Sequence, residues 1–217
     1  MSTERLVILV SGPSGSGKST LIARLREAEP RVGFSVSVTT RAPRGGEVDG
    51  RDYHFVDDAE FDRLLASNAL LEWARVYDRR YGTPRSEVTR LHQEDRDALF
   101  DLDIVGGHNL MRHFRDVVSV FVLPPEYGAL RERLVARGKD DEATIDRRLG
   151  QVASQCIGYE QYRYLVVNDD LEAAAAELIA IVRAERAATS RRLVRAERVL
   201  ATFEAPHPEA PGPKPQS

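Results

Sequence analysis

Nine residues, GPSGSGKST at positions 12–20, constrain this chain more than any other stretch. They follow RLVILVS, an apolar run of strand length. They precede TLIARLREAE, whose Leu21, Ile22 and Leu25 recur at helical spacing before Pro30 ends the pattern. A glycine-rich turn between a buried strand and an amphipathic helix lets backbone N–H groups converge on an anion, and the helix N-terminus adds positive potential. Gly12, Gly17, Lys18 and Ser19 satisfy the spacing G-x-x-x-x-G-K-[ST] of a nucleoside triphosphate cradle, with Pro13, Ser14, Gly15, Ser16 and Thr20 completing it. On this reading Lys18 reaches the β- and γ-phosphates of ATP and the Ser19 hydroxyl ligates Mg2+. Of 31 Lys and Arg residues only Lys18, Lys139 and Lys214 are lysines, so the one kept in the loop stands where a slim, flexible ammonium is needed. The loop specifies the phosphoryl donor and leaves the acceptor open.

The rest of the chain alternates strands and helices. GFSVSVTT reads as one short strand, YHFV and LLEWARVY as strands, and DDAEFDRLLASN as a helix. After Pro84 the chain turns helical. DALFDLDIV is a buried strand ending in Asp101 and Asp103, with a helix near Asn109–Arg115. VVSVFVLPP is a buried strand, EYGALRERLVARG and DDEATIDRRLGQVASQ are helices around the turn GKDD, and YRYLVVNDD with LEAAAAELIAIVRAER closes the pattern. Wholly apolar strands between helices predict an α/β fold whose parallel sheet is covered on both faces. Shorter, mixed strands predict a small β-rich insert at about 34–84. From about 189 the character changes: SRRLVRAERVLATFE reads as a continuation of the last helix, and EAPHPEAPGPKPQS as a Pro-rich disordered tail.

The 217 residues suit one large domain, 1–188, with a helical extension and tail over 189–217. A formal charge of −3 supplies no basic field for nucleic acid. Runs such as LVILV are too short to span a bilayer, and the N-terminus lacks the pattern of a secretory signal, so no membrane partner is expected. The single cysteine, Cys156, reads as a semi-buried residue within a helix and allows no intrachain disulfide, which makes the cytoplasm the expected compartment. His54, His92, His108, His113 and His207 show no metal-ligand spacing and are read as non-catalytic.

The stretch VSVTTRAPRGGEVDGRDYHF gathers Arg41, Arg44 and Tyr53 in a loop whose Pro43, Gly45 and Gly46 fix an unusual backbone path. Singly, each arginine of this Arg-rich chain reads as solvated. Transfer between two phosphorylated molecules must overcome repulsion between several negative charges, and arginines that fork onto phosphate oxygens suit that task. Glu72 is the one carboxylate in an otherwise apolar strand; taken alone it reads as an exposed strand residue.

GPSGSGKST, SVTTRAPRGGEVDGRDYHF, LEWA, YGTP, DLD, RLVARG, RRL and VVNDDL, in this order from about residue 5 to about 185, resemble the guanylate kinases, P-loop nucleoside monophosphate kinases. The resemblance implies a three-layer P-loop kinase with a parallel core sheet, a mixed β-rich GMP-binding insert and a helical lid at about 136–150. It implies ATP-dependent phosphorylation of GMP, and of dGMP, with Mg2+, by a monomer or homodimer. Arg41, Arg44, Tyr53 and Tyr81 would hold the GMP phosphate, and Ser37, Glu72 and Thr83 would read guanine. Arg137 and Arg148 would clamp the transferring group from the lid, with Arg44 and Lys18. Asp101 and Asp103 would organise Mg2+, Lys18 and the guanine side, Asp101 through water. Asn168 would lie near adenine. The chemistry agrees: guanine N1–H and its amino group are adjacent donors that an ionised carboxylate accepts together, whereas adenine N1 offers that carboxylate only a lone pair.

Two segments depart from the family pattern: DLDIVGG has Val105 where glutamine is usual, and VYDRR stands where a Gly-Asn pair is common. Val105 either packs on the core or marks a divergent cleft. Two other readings stand beside guanylate kinase. A related kinase of phosphorylated sugars would not need the set Ser37, Glu72 and Thr83. A non-catalytic, protein-binding relative of the fold would have no use for an intact GPSGSGKST.

Overall fold

In a computed structural model the chain is described at residues 5–76, 78–136, 138 and 141–204. Its core is a five-stranded, wholly parallel sheet in the order β2-β7-β1-β8-β9: β1 Val7–Ser11, β2 Val32–Phe34, β7 Asp97–Asp101, β8 Val117–Leu123 and β9 Tyr164–Val167. The uninterrupted VILV of β1 follows from its central place, since both faces of such a strand are buried. Ile8 and Val10 pack with Leu21 and Leu25 of α1 (Lys18–Ala28) and Leu178 and Val182 of α7 (Leu171–Ala187). Val7 and Leu9 face the other way, toward Leu91 of α3 (Arg85–Gln93), Leu110 of α4 (Ile104–His113), Phe121 and Tyr162.

A second, four-stranded mixed sheet in the order β4-β3-β6-β5 forms the insert: β3 Val38–Thr39, β4 His54–Phe55, β5 Leu70–Val76 and β6 Arg79–Pro84. It shelters only a small core, Val38, Phe61 and Leu70, beneath α2 (Asp58–Ala66). Arg80 reinforces it: its guanidinium reaches Asp58 and Asp62 of α2 at 2.6 Å each and stacks over the Phe61 ring at 4.6 Å. The RR of VYDRR is thus in part structural, Arg80 tying β6 to α2. Helices α5 (Tyr127–Ala136) and α6 (Glu142–Gln155) pack on each other through Leu130, Leu134, Ile145 and Leu149.

Several expectations are corrected. GFSVSVTT is divided between the two sheets, Phe34 in the core and Val38 in the insert. Residues 79–84 form a strand, hidden in the sequence by Gly82 and Pro84. The helix expected near Asn109–Arg115 begins at Ile104, because the Asp103 carboxylate caps it by accepting from Gly106 N at 2.8 Å. Cys156 lies just past the end of α6. The last helix does not run on: it stops at Ala187, and α8 (Thr189–Glu204) starts anew, anchored by a buried Arg191 that donates to Asp116 O at 2.9 Å and lies 3.8 Å from Glu185. The Pro-rich tail, with His207 and Lys214, lies outside the described residues, as does Lys139.

Candidate active site

The loop between β1 and α1 takes its shape from two glycines. Gly12 has φ +148, and a Cβ there would come within 2.2 Å of the Val122 carbonyl oxygen of β8. Gly17 has φ +90, and a Cβ would meet Asn168 Nδ2 at 2.1 Å. As the residue preceding α1, Gly17 brings no side chain to fill the helix's first N–H groups, which leaves them for an anion. Asn168 supports the loop from beneath. It is 2% exposed, its Nδ2 donates to Ser16 O at 2.7 Å, and its Oδ1 is buried without a hydrogen-bond partner among the described residues. Arg133 in turn donates to the Asn168 carbonyl at 2.7 Å.

A cleft of about 650 Å3 opens above this loop at the carboxyl ends of β1 and β7, where ligands bind in open parallel sheets. Gly12, Ser14, Gly15, Gly17, Lys18, Ser19 and Thr20 line its floor. Pro13 and Ser16 are buried inside the loop, away from the lining. Lys18 Nζ donates to the carbonyls of Gly12 at 2.7 Å and Pro13 at 3.1 Å. Burial lowers the Lys18 pKa, while Asp101 and Asp103 oppose the shift. Burial raises that of Asp101, against the pull of Lys18. Asp101, Asp103 and Arg148 all line the cleft, together with Tyr53 from the insert. Val105 also lines it and is 57% exposed, so it does not pack into the core. Arg137 lies outside the described residues.

The insert presents two further clusters. Arg41 forks onto Glu47, with Nη1 and Nη2 at 2.9 and 2.8 Å from its two carboxylate oxygens, and lies over the rings of Tyr53 at 5.3 Å and Phe55 at 5.8 Å. The Tyr81 hydroxyl sits beside Arg41, and the Tyr53 and Tyr81 rings meet edge-on at 6.0 Å. Glu47 also accepts from Arg44 N at 2.7 Å, so one carboxylate organises both arginines, and the Arg41 hydrogen bonds foremost hold its pKa down at about 2. The Arg44 side chain is exposed. In the second cluster Glu72 accepts a hydrogen bond from Thr83 Oγ1 at 2.5 Å. Glu72 is 8% exposed, which corrects its reading as a surface strand residue. Burial drives its pKa up to about 7, the Thr83 hydrogen bond working against this and Asp103 adding to it. Gly106, at the start of α4, lies close enough that a Cβ there would sit 3.0 Å from Glu72 Oε2. Ser37, half-buried, lies just before β3, its carbonyl accepting from His54 N at 2.8 Å.

Three contributors escaped the sequence reading. Glu47 passes for an ordinary loop charge. Gln151 and Gln155 line the cleft from α6, and Gln155 Oε1 accepts from Ser14 N at 2.9 Å; helical glutamines give no local signal of this.

A glycine-shaped loop between a buried strand and a helix, with Lys18 in it and a mixed-sheet insert reaching the same cleft through Tyr53, is the arrangement of a P-loop kinase. The family model for guanylate kinase matches residues 3–185. A guanylate kinase of Thiobacillus denitrificans is 42% identical over 198 residues, 91% of this chain and 95% of that protein. One of Rhizobium etli is 46% identical over 188 residues, 86% of each. The crystal structure of guanylate kinase from Anaplasma phagocytophilum superposes with a TM-score of 0.70 at 32% identity, covering 93% of this chain and 97% of that one. The chain belongs to the guanylate kinase family, nucleoside monophosphate kinases whose substrates are ATP and GMP. Among the described residues no helix is long and apolar enough to cross a membrane.

Proposed function

We propose that GMP binds across the insert with its base against Glu72 and its phosphate against Arg41, Arg44, Tyr53 and Tyr81, and that it receives the γ-phosphoryl group of ATP held on residues 12–20. The observation that carries this reading is the buried Glu72 carboxylate, an acceptor with no cation beside it among the described residues, on the same insert as the Arg41–Tyr53–Tyr81 cluster. An ionised Glu72 takes guanine N1–H and the amino group together, and O6 accepts from the Ser37 hydroxyl and from that of Thr83 once the base replaces Thr83 as the donor to Glu72. AMP would leave the carboxylate unpaired, and sites built on such hydrogen bonds reject the wrong partner by roughly 10^4-fold.

The acceptor needs no general base: a phosphate monoester with a second pKa near 6 is mostly dianionic at neutral pH. Its oxygen attacks the γ-phosphorus, a new P–O bond forms, and the bond to the bridging oxygen breaks with its electron pair leaving on the β-phosphate of ADP. The protein's part is alignment and charge stabilisation. Lys18 exchanges its contacts with the Gly12 and Pro13 carbonyls for phosphate oxygens, and Arg148 stabilises charge on the transferring group, the role that the family resemblance also gives Arg137. Asn168 holds the loop from beneath through its bond to Ser16 O, and adenine is expected to lie near it. Hard oxygen donors beside the loop, the exposed Ser19 hydroxyl and the Asp101 carboxylate, fit Mg2+, which takes most of its ligands from water and phosphate. Ser19 would hold it directly and Asp101 through water, and the ion would neutralise charge on the β- and γ-phosphates. Residues 1–188 are the catalytic unit in this reading, working in the cytoplasm, where both nucleotides are at hand.

The test is a panel of GMP, dGMP, AMP, CMP, UMP and ribose 5-phosphate with ATP and Mg2+, scored by ADP formation. Turnover with GMP and dGMP alone is expected; ribose 5-phosphate turnover or equal use of AMP would overturn the assignment.

A further inference from the structure

A side chain that the proposed chemistry does not use joins the lid helix to the phosphate cradle. Gln155, the last residue of α6, accepts from Ser14 N at 2.9 Å across 141 positions of sequence. Ser14 N–H belongs to the loop that lines the cleft floor, and Gln155 itself lines the cleft. On α6, Arg148, Gln151 and Gln155 are spaced i, i+3, i+7, which places them on one face of the helix, and all three line the cleft. α5 and α6 pack through a slight apolar contact, Leu130, Leu134, Ile145 and Leu149, and are joined at the start of α6 by an exposed ion pair, Arg131 Nη2 to Glu142 Oε1 at 2.6 Å. Apolar contacts of that size set the distance between helices more firmly than their rotation or axial register. A directional hydrogen bond at the end of α6, made to the backbone of the cradle itself, fixes both.

We infer that Gln155 is a positioning residue: its bond to Ser14 N–H pins α6 to the cradle and thereby aims Arg148, two turns earlier on the same face, at the transferring phosphoryl group. The end of α6 nearest the tether is the fixed point about which the lid turns, and the far end, where Glu142 is paired with Arg131, moves together with α5. This rests on the reading of Arg148 as a lid arginine. The tether needs only an acceptor, so a carboxylate can serve where an aliphatic side chain cannot.

The experiment is steady-state kinetics on Gln155→Ala, Gln155→Glu, Arg148→Ala and the double variant Gln155→Ala/Arg148→Ala, with melting temperatures as the control for folding. Since small misplacements of a catalytic group cost up to about 100-fold, Gln155→Ala is expected to lower kcat roughly tenfold with KM for GMP within about twofold. Gln155→Glu should stay within about threefold of the parent, and in the Arg148→Ala background the Gln155→Ala change should add less than about twofold. An Arg148→Ala variant with unchanged kcat would remove the reading of Arg148 and this inference with it. An impaired Arg148→Ala combined with a silent Gln155→Ala would overturn the inference alone, as would full additivity in the double variant, or a Gln155→Glu as damaged as Gln155→Ala.

Discussion

In the proposed reading residues 12–20 offer phosphate mostly backbone N–H donors, shaped by Gly12 and Gly17 and backed by strands buried on both faces. On the insert the proposed phosphate contacts are side chains on a mixed sheet with a small core, where charged groups hold one another: Glu47 holds Arg41, and Arg80 ties the sheet to α2 through Asp58 and Asp62. The scaffold of the first region is part of the main core. The second depends on ion pairs, whose strength falls with salt and exposure. The difference teaches how the two substrates are treated. In the proposed reading a triphosphate is recognised by charge and shape on the main core, whereas the base of the acceptor is recognised by one enclosed carboxylate on a lighter support.

Four experiments would break or sharpen this contrast. The largest effect is expected for Lys18→Ala, which should reduce kcat by roughly 10^3-fold or more while the melting temperature stays near that of the parent, since removal of a charge-stabilising donor typically costs 10^2–10^3-fold; near-normal turnover would refute the cradle assignment. Next comes Glu72→Gln, which should raise KM for GMP by about 100-fold and leave KM for ATP within about twofold. The same variant carries a stability signature. The folded carboxyl titrates at about 7 against an ordinary 4.5, so the folded state is the better proton binder and loses stability as pH rises between those values. Glu72→Gln, resembling the protonated form, should therefore melt higher than the parent above pH 7, by an amount on the order of 2 kcal/mol in stability, and lose that advantage toward pH 5. Third, Arg80→Ala should destabilise the insert only modestly, its aspartate partners being exposed, and raise KM for GMP severalfold with KM for ATP unchanged. An equal rise in both would show that the two regions are not independent. The smallest effect is expected at the end of the chain. Removal of residues 192–217 keeps Arg191 and should leave kcat within about twofold, whereas removal of 189–217 strips Glu185 of that partner and should lower the melting temperature by several degrees.

The same contrast governs what could be read from sequence. The cradle is contiguous, its residues adjacent in the chain and its chemistry tied to a strict spacing, so loop, strand and helix were legible at once. The proposed acceptor side draws on Glu72 of β5, Tyr81 and Thr83 of β6, and Ser37, Arg41 and Tyr53 from the loops beside β3 and β4, and no local pattern gathers them without a family resemblance. Glu72 illustrates the limit: its burial comes from α4 packing over β5, a tertiary contact that strand patterning cannot foresee. Val105 was left open between core and cleft because one apolar residue at a helix start fits either, and only the capping of α4 by Asp103 turns it outward. Gln155 was invisible for the opposite reason, since a polar residue at a helix end is ordinarily solvated. Strand β6 was missed because Gly82 and Pro84 argue against a strand that its neighbours β3 and β5 nevertheless stabilise on both sides.

The most direct test of the central claim, that an enclosed carboxylate selects guanine, is calorimetric titration of GMP into the protein between pH 6.2 and 8.5, for the parent and for Glu72→Gln. Glu72 must be ionised to accept both guanine donors, so the parent should bind GMP progressively less tightly as pH falls below about 7 and should release protons on binding there. Glu72→Gln should bind weakly, with little pH dependence across that range. GMP affinity that is flat with pH in the parent and unchanged in Glu72→Gln would contradict the account.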